Sequence, residues 1–312
     1  MEIPGLRSPY ETVGGIVYFG RMIDKLRLHV SGKLPAEYQA LLGDANSRSF
    51  DGRCCRFLHI DYAALAAQTI QGGTDEALFR WACSHGREPS DSEAEIWNAF
   101  MRKCGWRDES SGRLREQTQK AGLKDRVIST FFDFFDADES RPPLFADDTP
   151  PPGEPLPSVT RIPGLRSPRD KVGGIVHFGR LLDKIRLFHR GKLPPVWVEA
   201  KGSVNGFDGI CCRLLQVDYE ALEEETLKGG ADEQVLGWAI AQGHQPSAKE
   251  IEIWNDYLAK RCWRDQYTPR LHVRLQEAGM PIGSVLTMFD FIDLDEGRGA
   301  QCSWQRPSAL LL

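Results

Sequence analysis

Apolar residues recur along this chain at three- and four-residue intervals, the spacing that gathers side chains on one side of a helix. Val13, Ile16, Val17, Gly20, Ile23, Leu26 and Val30 follow it and Gly32 supplies a stop, which predicts a first helix across that span. Asp61 is placed to cap a helix running toward Gly72-Gly73, and Thr74 to cap the next, through Trp81. Ser90-Asp-Ser-Glu93 reads as a capping box ahead of Ile96, Trp97, Phe100 and Met101. Leu114 lies in a further helix ending near Gly122, and Val127, Ile128, Phe131, Phe132 and Phe135 form a last apolar stripe. Trp81 and Trp97 fall on core faces, whereas Glu95 and Asn98 fall on the polar face, the usual place of solvated side chains. Gly14-Gly15 is explained by close helix packing and Gly72-Gly73 by a helix stop. No stretch shows sustained alternation with hairpin turns. The expected fold class is all-α, with an irregular unit of six or seven helices.

The whole pattern then begins again. Ile3-Pro-Gly-Leu-Arg-Ser-Pro recurs word for word from Ile162, Val13-Gly-Gly-Ile-Val from Val172, and Glu95-Ile-Trp-Asn from Glu252. Phe50-Asp-Gly-x-Cys-Cys-Arg recurs from Phe207, and Phe132-Asp-Phe-x-Asp-x-Asp-Glu from Phe289. About half of the aligned positions are identical. A period this long is duplication of a whole domain, not a solenoid repeat. The expected boundaries are 1–140 for the first copy, 141–161 for a linker, 162–298 for the second copy and 299–312 for a tail. The linker carries seven prolines between Arg141 and Arg161, which predicts an extended, semi-stiff tether. Packing of the two copies as an intramolecular pseudo-dimer is left open.

Composition narrows the classes. Of the 312 residues, 41% are hydrophobic and 27% charged, which is globular material. The net charge of -5 and the lack of a lysine or arginine block argue against a nucleic-acid partner. The start has no basic and apolar leader, and no run of about 18 apolar residues occurs, so neither a signal peptide nor a membrane span is expected and a cytoplasmic location is. The eight cysteines show no C-x-x-C pair and no zinc spacing, and are expected to be free, mostly buried thiols.

Three groups carry candidate chemistry. On the first helix, Asp24 and Arg27 project into the apolar sector, with Arg21 nearby, and Asp183, Arg186 and Arg180 repeat them. Charges on such a face are either paired, in a network that includes Arg56 and Arg213, or line a pocket where arginine grips a carboxylate or phosphate. Asp133 and Asp136, matched by Asp290 and Asp293, stand three apart on one side of a helix near its C-terminal end, followed by Asp138 and Glu139. Such oxygens are suited to magnesium carrying a substrate diphosphate, a loose similarity to helical isoprenoid-diphosphate enzymes; a solvated acidic face is the plainer account. Trp106-Arg107, matched by Trp263-Arg264, is placed either to stack and pair with a ligand or to act as a packing clamp. The adjacent cysteines of the Asp51-Gly-x-Cys-Cys-Arg segment fit inert packing better than redox chemistry. No histidine is shared between the copies, so a common histidine base or ligand is excluded.

The motifs Leu6-Arg-Ser-Pro, Val13-Gly-Gly-Ile-Val-x-Phe-Gly-Arg21, Asp24-Lys25, Gly32-Lys-Leu-Pro, Phe50-Asp-Gly-Arg-Cys-Cys-Arg-Phe, Gly72-Gly-Thr-Asp-Glu and Ile96-Trp-Asn, with the Phe-Asp-Phe-x-Asp-x-Asp-Glu end, resemble the bacterial domain-of-unknown-function family 5069. The resemblance covers nearly all of both copies. It implies a compact intracellular domain and assigns no activity to any residue. The second copy departs from it where Arg53 becomes Ile210 and Tyr18 becomes His177. If Arg53 touches a ligand, that exchange alters or abolishes the second site. The leading expectation is a pocket, one per copy or one between the copies, that holds a small anionic metabolite through Arg27 and Arg56 and their counterparts Arg186 and Arg213, by binding alone or with turnover. The alternatives are magnesium-dependent diphosphate chemistry and a bivalent protein-interaction module.

Overall fold

The apolar spacing at residues 13–30 resolves into two elements. A computed structural model describes residues 2–44, 49–123, 126–145 and 162–298. In it β1 (Thr12–Val13) pairs antiparallel with β2 (Ile16–Val17), and only then does α1 (Phe19–Val30) begin. Gly14 and Gly15 are the turn, with φ of 58° and 79°. Positive φ at both central residues suits a two-residue hairpin loop of this kind and favours glycine. The expected continuous helix is therefore corrected, and so is the reading of Gly14-Gly15 as a helix contact. Strands of two residues offer no alternation to detect, and their three buried apolar side chains mimic helical spacing.

Asn98 secures the hairpin. Its Oδ1 accepts from the Val17 amide at 2.8 Å and its Nδ2 donates to the Gly15 carbonyl at 2.8 Å. Asn255 does the same for Val176 and Gly174. This residue, expected in solvent, is a clamp.

The first unit continues with α2 (Ala36–Gln39), α3 (Phe50–Leu58), α4 (Tyr62–Ile70), α5 (Asp75–His85), α6 (Asp91–Arg102), α7 (Ser111–Lys120) and α8 (Phe131–Asp138). Asp61, Thr74 and Ser90 cap helices with their side chains as expected, and Ser49 and Thr130 do so as well. The second unit repeats the order: β3 (Lys171–Val172), β4 (Ile175–Val176), α9 (Phe178–His189), α10 (Pro195–Val198), α11 (Phe207–Leu215), α12 (Tyr219–Leu227), α13 (Asp232–Gln242), α14 (Ala248–Ala259), α15 (Thr268–Glu277) and α16 (Met288–Asp295). Each unit is thus mainly helical, with α2 and α10 single turns and the hairpin its β-structure among the described residues. The chain divides at Asp147 and Asp148 into these two units. Most of the expected linker, the tail and Cys302 lie outside the described residues. No described helix is long and apolar enough to cross a membrane.

Each core surrounds its first helix. Phe19, Met22 and Ile23 are fully buried in the first unit, and Phe178, Leu181 and Leu182 in the second. Trp97 stacks on Phe57 with ring centres 4.4 Å apart. No disulfide joins the seven described cysteines.

Candidate functional site

The partner of Asp24 comes from outside its helix. Arg7 approaches from the leading segment, with Nε 2.6 Å from Asp24 Oδ2 and Nη2 2.7 Å from Oδ1, and Nη2 also meets Asp75 at 2.6 Å. Gly20 makes room for this fork, because a Cβ there would stand 2.5 Å from Arg7 Nη1. Arg27 sits further out, 37% exposed in its side chain, and pairs with Asp75 at 2.6 Å. Arg166, Asp183, Asp232 and Arg186 repeat this arrangement. Arg21 and Arg180 are buried; each grips Glu139 or Glu296 and donates at 2.7 Å to the carbonyl of Arg7 or Arg166. The opening helix thus holds a closed network of paired charges.

The other candidates are spread apart. Arg56 pairs with Asp44, and Arg213 donates to the Val204 carbonyl at 2.6 Å, both part-exposed. The guanidinium of Arg107 stacks 4.6 Å from the ring of Trp106, and that of Arg264 4.7 Å from Trp263. Asp108 closes that turn by accepting from the amides of Gly105 and Ser110.

The acidic segment is also engaged. Asp133 lies in the first turn of α8, not near its end, and forms a capping box with Thr130. Tyr10 Oη donates to it at 2.6 Å. Asp136 accepts from Ser8 Oγ at 2.7 Å and pairs with Arg141 at 3.2 Å. In the second unit Arg169 reaches Asp290 at 2.5 Å, and Ser167 donates to Asp293 at 2.9 Å. Burial pushes the carboxyls of Asp136 and Asp293 up, and the serine hydrogen bonds and neighbouring arginines oppose it. Among the described residues no group of three or more His, Cys, Asp and Glu side chains is arranged to hold a metal ion.

The second unit contains a cavity of about 470 Å³ between α10, the loop leading into α11, α15 and α16. That volume suits a small metabolite. Five cationic side chains line it: Arg180, Lys184, Arg261, Arg270 and Arg274, against the carboxylates of Glu199, Glu277 and Asp295. Lys184 is neutralised by Asp208, which lies 2.5 Å from its Nζ, and Arg180 by Glu296. Arg274 pairs with Glu277 at the exposed rim. Arg261 and Arg270 have no carboxylate partner among the described residues.

Arg261 is the unusual group. It is 5% exposed. Its Nη1 donates to Tyr257 Oη at 2.5 Å, and its guanidinium lies 3.8 Å from the ring centre of Tyr267. In the first unit Cys104 occupies this chain position. The backbones correspond: Phe131 N donates to Cys104 O at 2.9 Å and Met288 N to Arg261 O at 3.0 Å. Yet the first unit also holds a buried guanidinium here, supplied by Arg53 on α3. Arg53 lies 5.5 Å from the ring centre of Phe50 and 5.4 Å from Phe100, and Arg261 lies 5.7 Å from Phe207 and 5.3 Å from Tyr257. The charge expected to be lost with Ile210 is therefore restored from another position. Arg53 Nη1 is 3.0 Å from Cys104 Sγ, and its Nε is buried without a partner. Comparing identical residues between the copies misses this exchange; comparing compensating pairs would find it.

Behind the cavity, His177 replaces Tyr18. In the first unit Tyr18 Oη donates to Asp51 at 3.0 Å and accepts from Lys25 Nζ at 3.1 Å. In the second, His177 Nε2 lies 2.8 Å from Asp208 Oδ1, and Nδ1 is buried with no partner. Burial lowers the His177 ring to about 4, against the Asp208 hydrogen bond, so the ring is neutral near pH 7. Burial works to raise the Asp208 carboxyl, and the Lys184 ammonium and the His177 ring overcome it. Burial also pulls the ammonium of Lys184 down, with Asp208 opposing.

No curated protein matches the chain at a significant level. The family described as a domain of unknown function (DUF5069) matches residues 3–141 and again 162–298. The chain belongs to that family and carries two tandem copies of its domain.

Proposed function

We propose that the second unit binds a small metabolite carrying an oxyanion, a carboxylate or a phosphate, in the cavity beside Arg261. One observation carries this reading: both units keep a buried guanidinium between corresponding aromatic rings, from different chain positions, and neither has a carboxylate partner among the described residues. Arginine stays charged at any accessible pH, and a buried charge without a counter-charge is costly. The other buried arginines next to it, Arg21 and Arg180, are matched by glutamates. A ligand anion supplies the missing counter-charge at Arg261, with exposed Arg270 as a second fork at the mouth. Fork geometry also gives orientation, so binding is expected to distinguish planar or tetrahedral oxyanions from chloride.

Titration calorimetry of the full chain with citrate and with inorganic pyrophosphate, at constant ionic strength, tests the reading. Binding of either probe that is lost in the double variant Arg261→Gln, Arg270→Gln and kept in Arg27→Gln supports it. No binding of either, or binding indifferent to Arg261 and Arg270, removes it.

A further inference from the structure

We infer that the ligand of the second unit is an elongated zwitterion, with an amine at the far end of an apolar body from its oxyanion, and that Asp295 receives the amine. The inference rests on the oxyanion reading of the cavity and supplies the other end of the ligand. Met288, Phe291, Ile292 and Asp295 all line the cavity. Residues three, four and seven apart share one side of a helix, so these four form one lining face of α16. Arg261 stands at the start of that helix, where its carbonyl accepts from the Met288 amide at 3.0 Å. Asp295 is the last residue of α16, seven beyond Met288 and so about 10 Å further along the axis. A cation and a carboxylate thus mark the two ends of one cavity wall, and Met288 and Ile292 supply apolar surface between them.

Asp295 is half-buried and has no hydrogen bond or ion pair among the described residues. Burial raises its carboxyl and Glu296 adds to that; the cation that opposes them, Arg274, pairs with Glu277 at 2.9 Å. An unpaired carboxylate on the last residue of a helix is also unfavourable with the helix dipole. In the first unit the same position is satisfied from within. Tyr38 Oη lies 3.2 Å from Asp138 Oδ2 and 2.9 Å from Glu139 Oε1, which ties α2 to the end of α8. In the second unit Trp197 takes the place of Tyr38, and its ring lies against the Arg180 guanidinium at 4.6 Å. The exchange removes the hydroxyl, and Trp197 lines the cavity. The side on which Asp138 meets its partner is therefore, at Asp295, the side of the cavity. Of the other carboxylates there, Glu277 holds Arg274 and Glu199 is exposed. Unpaired donors at Arg261 and Arg270 and an unpaired acceptor at Asp295 describe a ligand charged at both ends, because an amine supplies the partner that Asp295 lacks.

Titration of the full chain with two pairs of probes, 8-aminooctanoate against octanoate and 6-aminohexanoate against hexanoate, tests the inference. The amino member of at least one pair is expected to bind about tenfold more tightly, the effect of one charge-assisted hydrogen bond. In a cavity that is merely apolar beyond Arg261 the order reverses, because a methyl end is buried more favourably than an ammonium. Asp295→Asn is expected to abolish the preference while the plain carboxylate still binds. A carboxylate without a partner in the fold is expendable for stability, so the variant should keep its urea midpoint. In the unaltered chain the ¹³C resonance of the Asp295 carboxyl should move with the amino probe and stay in place with its partner. Equal affinity or the reverse order in both pairs, a preference retained in Asp295→Asn, or an unmoved Asp295 resonance overturns the assignment of Asp295 and leaves the oxyanion site standing. Binding of citrate or pyrophosphate with none of these four probes bound has the same meaning. If no anion binds at all, the oxyanion site falls, and this inference with it.

Discussion

Arg53 of the first unit and Arg261 of the second deliver a guanidinium to corresponding aromatic rings, although the two residues are not at corresponding positions. The two positions are therefore coupled within each unit, and exchanging one without the other leaves either no charge or two. Arg261→Cys is expected to abolish probe binding. Adding Ile210→Arg to it recreates the first unit's arrangement and should restore part of the affinity, a strongly non-additive result. Calorimetry on the two single variants and the double variant measures the coupling.

The cavity depends on smaller side chains at two wall positions. Met288 and Ile292 line it, and the first unit has Phe131 and Phe135 there, packed against Phe50 with ring centres 5.7 and 5.2 Å away. One probe molecule is expected to bind per chain rather than two. Met288→Phe with Ile292→Phe should fill the space and reduce binding at least tenfold, the cost of about 1.4 kcal/mol or more of steric exclusion. The ligand stoichiometry and the affinity of this variant come from the same titration.

Glu139 and Glu296 each hold a buried arginine, and each also meets Arg141 or Arg298. Glu296→Leu leaves the buried Arg180 guanidinium without its carboxylate, while Arg298 keeps Asp293 at 3.4 Å. Breaking a buried pair from one side costs about 3–5 kcal/mol. Urea denaturation should show the loss in one transition, that of the second unit, with Glu139→Leu acting on the other.

His177 gives the second unit a pH dependence that the first lacks at this position. Its ring sits at about 4 when folded against 6.5 as its ordinary value, so the unfolded chain binds a proton first as pH falls. Stability from the neutral ring is fully present above about 6.5 and is lost as pH falls toward 4, by about 3 kcal/mol in all. His177→Tyr should flatten this slope between pH 7 and 4. Denaturation midpoints of both proteins across that range check it.

Much of the architecture could be read from residue order, and the limits of the reading have physical causes. The caps at Ser90 and Thr74 act locally, so their signals are legible in four residues of sequence. The hairpin at Gly14-Gly15 was hidden because Val13, Ile16 and Val17 satisfy helical spacing equally well. Asp24 was rightly placed inside, but its partner Arg7 comes from 17 residues upstream in a stretch with no periodicity. The verbatim repeat of Leu6-Arg-Ser-Pro was the only trace of that contact. Asp133 was read at the wrong end of its helix, since the apolar residues before Thr130 continue the stripe past the true start. Arg261 escaped notice because it replaces a cysteine, and its meaning lies in the pairing with Ile210.

Arg141 donates to the carbonyl of Leu6, and Arg298 to that of Leu165 at 2.5 Å. The entry and exit of each unit are thereby stitched to one another, so chain leaves a unit close to where it came in. A segment with neighbouring ends can be copied in tandem, or lifted out whole, without either end having to cross the body of the fold. The sequence evidence of duplication and this stitch are two views of the same property: each copy is a cassette.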